Sequence, residues 1–328
     1  MEDLSTSYMG LRLKNPIIVS SSGLTKSTSK IKECENNGAG AVVLKSLFEE
    51  QFISLLGSDA DLGQMYPEAL DYLRSGGLVK YGPHEMCKMI EEIKRSIEIP
   101  VIASINCLSP KIWPSFAEQI QAAGADALEL NIHFLPIDLE SPGAHFEKNY
   151  LSILKEVKKT VDIPVSVKLS PEVTSLPNLS RKLADHGCDA LVFFNWFLEP
   201  DIDVVHMKTR SIKGEGNFHH SLRWVGLLAG RIGCDISASG GVKNANDVIK
   251  ILLAGASAVQ VCSLFYTKGL IEIGKLCQGL SAWMKEHRFG SIGDFCGELS
   301  FKKQELSFRD LGEASAYFRS QYLKVYGD

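Results

Sequence analysis

The chain has 328 residues, 45% of them apolar, and a formal net charge of -4. That is ample material for one large core or two domains, and the acidic balance argues against nucleic acid as a partner. No apolar run is long enough to cross a membrane, no secretory leader is expected, and none of the eight cysteines forms a CxxC pair, so neither an iron–sulfur cluster nor a zinc site is indicated. A cytoplasmic protein with free thiols is the expectation.

Short apolar runs alternate with helical patterns along the chain. Residues 16–20 (PIIVS), 41–45 (AVVLK), 101–105, 127–131, 165–169, 190–195, 236–239 and 258–262 read as eight strands. Their nearly continuous apolar character is that of parallel strands covered on both faces. Between them, residues 86–97, 116–123, 150–157 and 248–253 repeat apolar positions every three to four residues, as helices do. Eight strand–helix units predict an α/β protein, a (β/α)8 TIM barrel, forming a single domain over 1–328. The segments GAGAVVL, GADALEL, GCDALVF and GASAVQV put Gly38, Gly124, Gly187 and Gly255 between a helix and a strand. Glycine there can take the left-handed conformation that ends a helix. An open doubly wound sheet is the rival, but no GxGxxG follows the first strand. Residues 47–82 form an insertion after strand two, of a length typical of lids and ligand walls. A C-terminal helical extension over 291–328 carries Phe295, Phe301, Phe308, Tyr317 and Phe318 and is expected to pack over a barrel end or a partner.

In a TIM barrel the chemistry lies at the carboxyl ends of the strands. Those ends read Ser21-Ser22-Gly23, Lys45-Ser46, Asn106-Cys107, Asn131, Lys168, Asn195, Gly240-Gly241 and Cys262-Ser263. They hold no cluster of carboxylates or histidines, so no metal is expected. They are rich in amide and ammonium donors, which suits a flat polar ring carrying a phosphate. Backbone N–H groups at Gly240-Gly241, with the following helix start, would hold the phosphate, and Ser263 would complete that site. Lys168 would stabilise the negative charge of a reduced flavin. Asn106, Asn131 and Asn195 would pair with its imide edge.

NPIIVSSSG, AVVLKS, ASIN, ALELN, VSVKL, FFN, SASGGV and SIGDFCGEL occur in this order from about Leu11 to Leu299. In this the chain resembles the dihydroorotate dehydrogenases, most closely their soluble class. The resemblance implies FMN as cofactor, with contacts at Ser21, Ser22, Gly23, Lys45, Ser46, Asn106, Asn131, Lys168, Asn195, Gly240, Gly241 and Ser263. Gly214 and Gly216, in KGEGN, look like a degenerate copy of the family's glycine-rich loop. The implied activity is oxidation of dihydroorotate to orotate in pyrimidine biosynthesis, with hydride passing to flavin N5. The soluble class also implies a homodimer.

The chain departs from that pattern after strand four. Where the family reads N-x-S-C-P-N or N-x-S-x-P-N, with cysteine or serine as base, this sequence has N-I-H-F-L-P. Phe134 stands at the base position and cannot accept a proton. Trp196 replaces a small hydroxyl residue, and residues 57–72 hold no clear copy of N-S-M-G-L-P-N. His133 and Cys107 are substitute candidates, a Cys107 thiolate needing a cation such as Lys45 or Lys168 nearby. His219-His220 reads as a solvent-exposed pair rather than a metal site. Three alternatives stay open: an enoate-type reductase of another substrate, a flavin-binding protein without turnover, and a phosphate-binding barrel without flavin.

Overall fold

The computed structural model describes residues 2–48, 82–107, 113–132, 134, 137–196, 198–213 and 217–305. Eight strands occupy the predicted places: β1 (Ile17–Val19), β2 (Ala41–Val43), β3 (Val101–Cys107), β4 (Ala127–Ile132), β5 (Val165–Leu169), β6 (Ala190–Phe193), β7 (Asp235–Ser239) and β8 (Ala258–Val261). They run parallel in the order β2-β1-β8-β7-β6-β5-β4-β3, and β2 pairs with β3 to close the ring. The closed ring is a (β/α)8 TIM barrel, and the open sheet is excluded.

A helix follows each strand: α1 (Thr28–Asn36), α2 (Pro83–Lys94), α3 (Trp113–Ala122), α4 (Gly143–Lys158), α5 (Leu176–Asp185), α6 (Phe218–Leu228), α7 (Ala245–Ala254) and α8 (Glu272–His287). Helix α4 buries Tyr150, Ile153, Leu154 and Val157, one stripe of a 3.6-residue repeat. It begins seven residues before Tyr150, earlier than predicted, and the half-buried Phe146 extends the apolar stripe into its first turn.

All four predicted joints are left-handed, with φ +97° at Gly38 and Gly124, +85° at Gly187 and +109° at Gly255. The aspartates two residues after Gly124 and Gly187 fasten the next layer. Asp126 accepts from Val101 N and pairs with Lys94 on α2 at 2.7 Å. Asp189 accepts from Val165 N and pairs with Lys158 on α4 at 2.9 Å. The recurrent GxD motif therefore ties a strand start to its neighbouring strand and a helix end.

The expectation of continuous apolar strands holds for their outer faces alone. Leu128, Leu130 and Ile132 of β4 pack outward in the core shared with the helices. The alternate positions face inward, and above the barrel floor most are polar: Ser104, Asn106, Glu129, Asn131, Ser166, Lys168, Ser237 and Gln260 are all buried. The floor is plugged by a hairpin of Thr6–Tyr8 and Leu11–Leu13, whose Tyr8, Met9 and Leu13 pack on Ile18, Ile102, Ala127 and Ala190.

A second hairpin, Leu198–Asp203 with Lys208–Lys213, lies between β6 and α6 and was not legible as strands. Of the insertion after strand two, Leu47–Phe48 adds to β3, and 49–81 lie outside the described residues. In the C-terminal extension, Phe295 is buried against Trp283 and Phe289. Gly297 and Leu299 donate to the last carbonyls of α7, and Asp3 pairs with Ser291 beside the floor hairpin. Phe308, Tyr317 and Phe318 lie outside the described residues.

Candidate active site

Register assembles the barrel mouth. Asn106 of β3 is level with Asn131 of β4, and Asn131 with Lys168 of β5. Asn195, past the end of β6, donates its backbone N–H to Leu169 O at 2.8 Å. Its side-chain amide donates to Asn131 Oδ1 at 2.6 Å. Three carboxamides and one ammonium thus form a crescent over four successive strands.

The first two strand ends are stitched together by hydroxyls. Ser21 Oγ lies 3.0 Å from Ser46 Oγ, which lies 2.8 Å from Ser104 Oγ. Ser46 N donates to Ser21 Oγ at 2.9 Å. Ser22 caps the short turn Gly23–Thr25 by accepting from Leu24 N. Lys45 is half-buried between them, its backbone N–H on Thr25 O.

Lys168 is 5% exposed and does not reach solvent. Its Nζ crosses the barrel from β5 to donate to Ser20 Oγ and Gln260 Oε1, each at 3.3 Å, and lies 3.8 Å from Glu129 Oε1. Strand-end reading missed Glu129, Gln260 and Ser20. Their signal is a polar letter at an inward position of an apolar run, as in ALELN and AVQV.

Gly240 and Gly241 follow β7 with φ +98° and +76°. Helix α7 begins only at Ala245, and Asn244 caps its first turn. Asn244 Oδ1 accepts from Asp247 N at 3.2 Å, and the Asp247 carboxylate accepts from Lys243 N at 2.9 Å. Val242, Lys243 and Asn244 separate the glycine pair from the helix start. A Cβ on Gly240 would collide with the Trp196 indole, whose Nε1 donates to Ser239 O at 3.2 Å. Ser263 opens the short helix Ser263–Lys268 after β8. From that helix the Tyr266 hydroxyl closes on Gly23, 2.5 Å from where a Cβ would stand.

Phe134 is 9% exposed, and its ring meets Tyr150 edge-on at 5.5 Å and Phe146 at 6.2 Å. It packs toward α4, in the core. His133, Gly214 and Gly216 lie outside the described residues, as does the Cys107 side chain, whose backbone ends β3. The histidine pair is corrected in part. His219 is exposed, but His220 is half-buried among Phe194, Trp196 and Trp224, with an enclosed Nε2 that has no partner among the described residues. Burial, then the Arg223 charge, lowers its pKa from 6.5. Burial raises the Cys34 and Cys234 thiols to about 12, which keeps them protonated and unreactive.

The family model described as dihydroorotate dehydrogenase matches residues 3–284. The catalytic subunit of dihydroorotate dehydrogenase B (NAD(+)) from Thermoplasma acidophilum is 30% identical over 307 residues, covering 90% of this chain and 99% of its own. The protein of that name from Pyrococcus horikoshii is 29% identical over 303 residues, covering 90% and 97%. That from Methanocaldococcus jannaschii is 27% identical over 301 residues, covering 86% and 94%. Similarity over nearly the whole barrel, on a closed ring whose strand ends carry the expected crescent, makes this chain a member of the dihydroorotate dehydrogenase family of oxidoreductases.

Proposed function

We propose that the protein is an FMN-dependent oxidoreductase acting on a CH–CH bond of a small molecule, with dihydroorotate as the first candidate. The crescent of Asn106, Asn131, Lys168 and Asn195 carries this reading. Its donors fit the acceptor-rich edge of the cofactor ring, and the positive-φ backbone at Gly240 and Gly241 fits its phosphate. When bound, FMN supplies the two-electron chemistry that no side chain here provides.

Lys168 holds a fixed positive charge at the mouth, aimed before any ligand arrives, so no reorganisation is needed when negative charge develops. Asn131 and Asn195, locked to each other, orient ligand amide edges. A proton leaving the substrate needs an acceptor, and Phe134 has none. His133 and Cys107 are the proposed candidates for a step commonly worth about a hundred- to ten-thousand-fold.

The core packing of Phe134 favours a second reading, in which the same site reduces an activated C=C of another compound or holds flavin without turnover. Anaerobic addition of dihydroorotate to the FMN-loaded protein separates them. Bleaching of the flavin spectrum within seconds supports the first; a persistent spectrum supports the second. Protein that stays colourless after reconstitution refutes FMN and returns the flavin-free phosphate-binding barrel.

The homodimer belongs to the same proposal. Ile202, Val204, Val205 and Met207 are all more than half exposed at the tip of the second hairpin, an apolar surface that a second copy would cover. Met207→Lys would then shift the sedimenting species to monomer; an unchanged profile would remove the hairpin from the interface.

A further inference from the structure

TIM-barrel interiors are filled mostly by branched apolar side chains. This one holds a carboxylate and an ammonium. Glu129 projects inward from mid-β4 and is fully buried. Lys168 lies above it with its Nζ 3.8 Å from Glu129 Oε1, beyond hydrogen-bond range. Gln260 bridges the two. Its Nε2 donates to Glu129 Oε2 at 2.5 Å, while its Oε1 accepts from Lys168 Nζ at 3.3 Å and from Ser20 Oγ at 3.2 Å. The reverse amide orientation would set the Gln260 carbonyl against the carboxylate and its NH2 against the ammonium, so the two charges fix its sense. Among the described residues Glu129 Oε1 has no hydrogen-bond partner. Burial and then the Glu129 charge push the Tyr8 pKa upward.

Desolvating both charges costs more than packing two apolar side chains of similar volume. The arrangement is also open at one carboxylate oxygen, so maximal stability does not account for it. We propose that Glu129 is a positioning residue for Lys168. It is the buried counter-charge that, through Gln260, holds the ammonium across the barrel mouth and offsets part of the positive field felt there. This rests on the reading of Lys168 as the cation that faces FMN, and the test separates the two.

The first measurement is the reduction potential of FMN bound to the full-length protein, wild type against Glu129→Gln. The amide keeps the volume and removes the charge. The lysine field is then uncompensated, and reduced FMN gains affinity over oxidised FMN by about tenfold, a shift of roughly +30 mV for a two-electron couple. A structural role alone would leave the potential where it was. An unchanged potential in a folded, FMN-loaded Glu129→Gln protein overturns the field role.

The second measurement needs no cofactor. Urea midpoints of the flavin-free protein are compared for Glu129→Gln, Lys168→Met and the double variant. Each single variant leaves one buried charge alone and lowers the midpoint; the double variant recovers most of the loss. Additive losses overturn the counter-charge. If wild-type protein binds no FMN, the flavin reading fails while the midpoint cycle still decides the coupling of Glu129 to Lys168.

Discussion

Replacing Phe134 with serine puts a hydroxyl where the family resemblance would set a base, and the structure predicts that this restores no activity. The ring is 9% exposed and sits edge-on to Tyr150 at 5.5 Å. Truncating a buried phenylalanine costs about 3–5 kcal/mol, of which the aromatic contact accounts for roughly 0.5–1.5 kcal/mol. Serine adds the burial of an unpaired hydroxyl, about 1–3 kcal/mol. A loss of roughly 4–8 kcal/mol in urea unfolding, followed by tryptophan fluorescence, is therefore expected. Dihydroorotate-dependent bleaching of bound FMN should stay unchanged, because a side chain directed at α4 cannot reach a ligand at the mouth. A gain of about a hundredfold in that rate, with stability altered by less than about 1 kcal/mol, would refute this placement and put position 134 in the site.

Three further outcomes follow from particular contacts. Gly38→Ala meets nothing within 4 Å and should cost about 1 kcal/mol for its left-handed backbone alone. Gly255→Ala adds a Cβ 2.5 Å from Ala229 Cβ and should cost more than Gly38→Ala by thermal or urea unfolding; equal losses would contradict the packing of α6 on α7. Asn195→Ala removes the 2.6 Å bond to Asn131 and should weaken FMN binding by about three- to tenfold in a fluorescence titration, the scale of one hydrogen bond; unchanged affinity would take the crescent out of the cofactor site. His220 has a folded pKa below 6.5, so the unfolded chain binds its proton first. Its contribution to stability is intact above pH 6.5 and is lost as pH falls below that value. His220→Phe should flatten this part of the stability profile between about pH 7 and pH 5.

The alternation of eight strands with helices was legible because each element writes its own local period, and because Gly38, Gly124, Gly187 and Gly255 mark the left-handed joints that end helices. The crescent was legible too, since a polar residue closing an apolar run stands at a strand end whatever its neighbours are. What an inward polar residue meets was not. ALELN and VSVKL, taken as near-continuous apolar runs, carry Glu129, Ser166 and Lys168 at alternate positions that the barrel turns inward, with the leucines and valines outward. The floor hairpin carries no pattern of its own, being held by what it plugs. Resemblance to the family suggested a site role for Phe134, whereas its ring packs on Tyr150 and Phe146 of α4 in the core.

Local period and strand-end position, then, determined the element order and the donors at the mouth. Closure of the ring decided who meets across it. Lys168 touches Ser20 and Gln260, 148 and 92 residues away in the chain, and Gln260 touches Glu129 across 131. No local signal encodes such pairs, because periodicity tells which side of a strand a residue takes, and only the closed barrel sets which distant strand stands opposite.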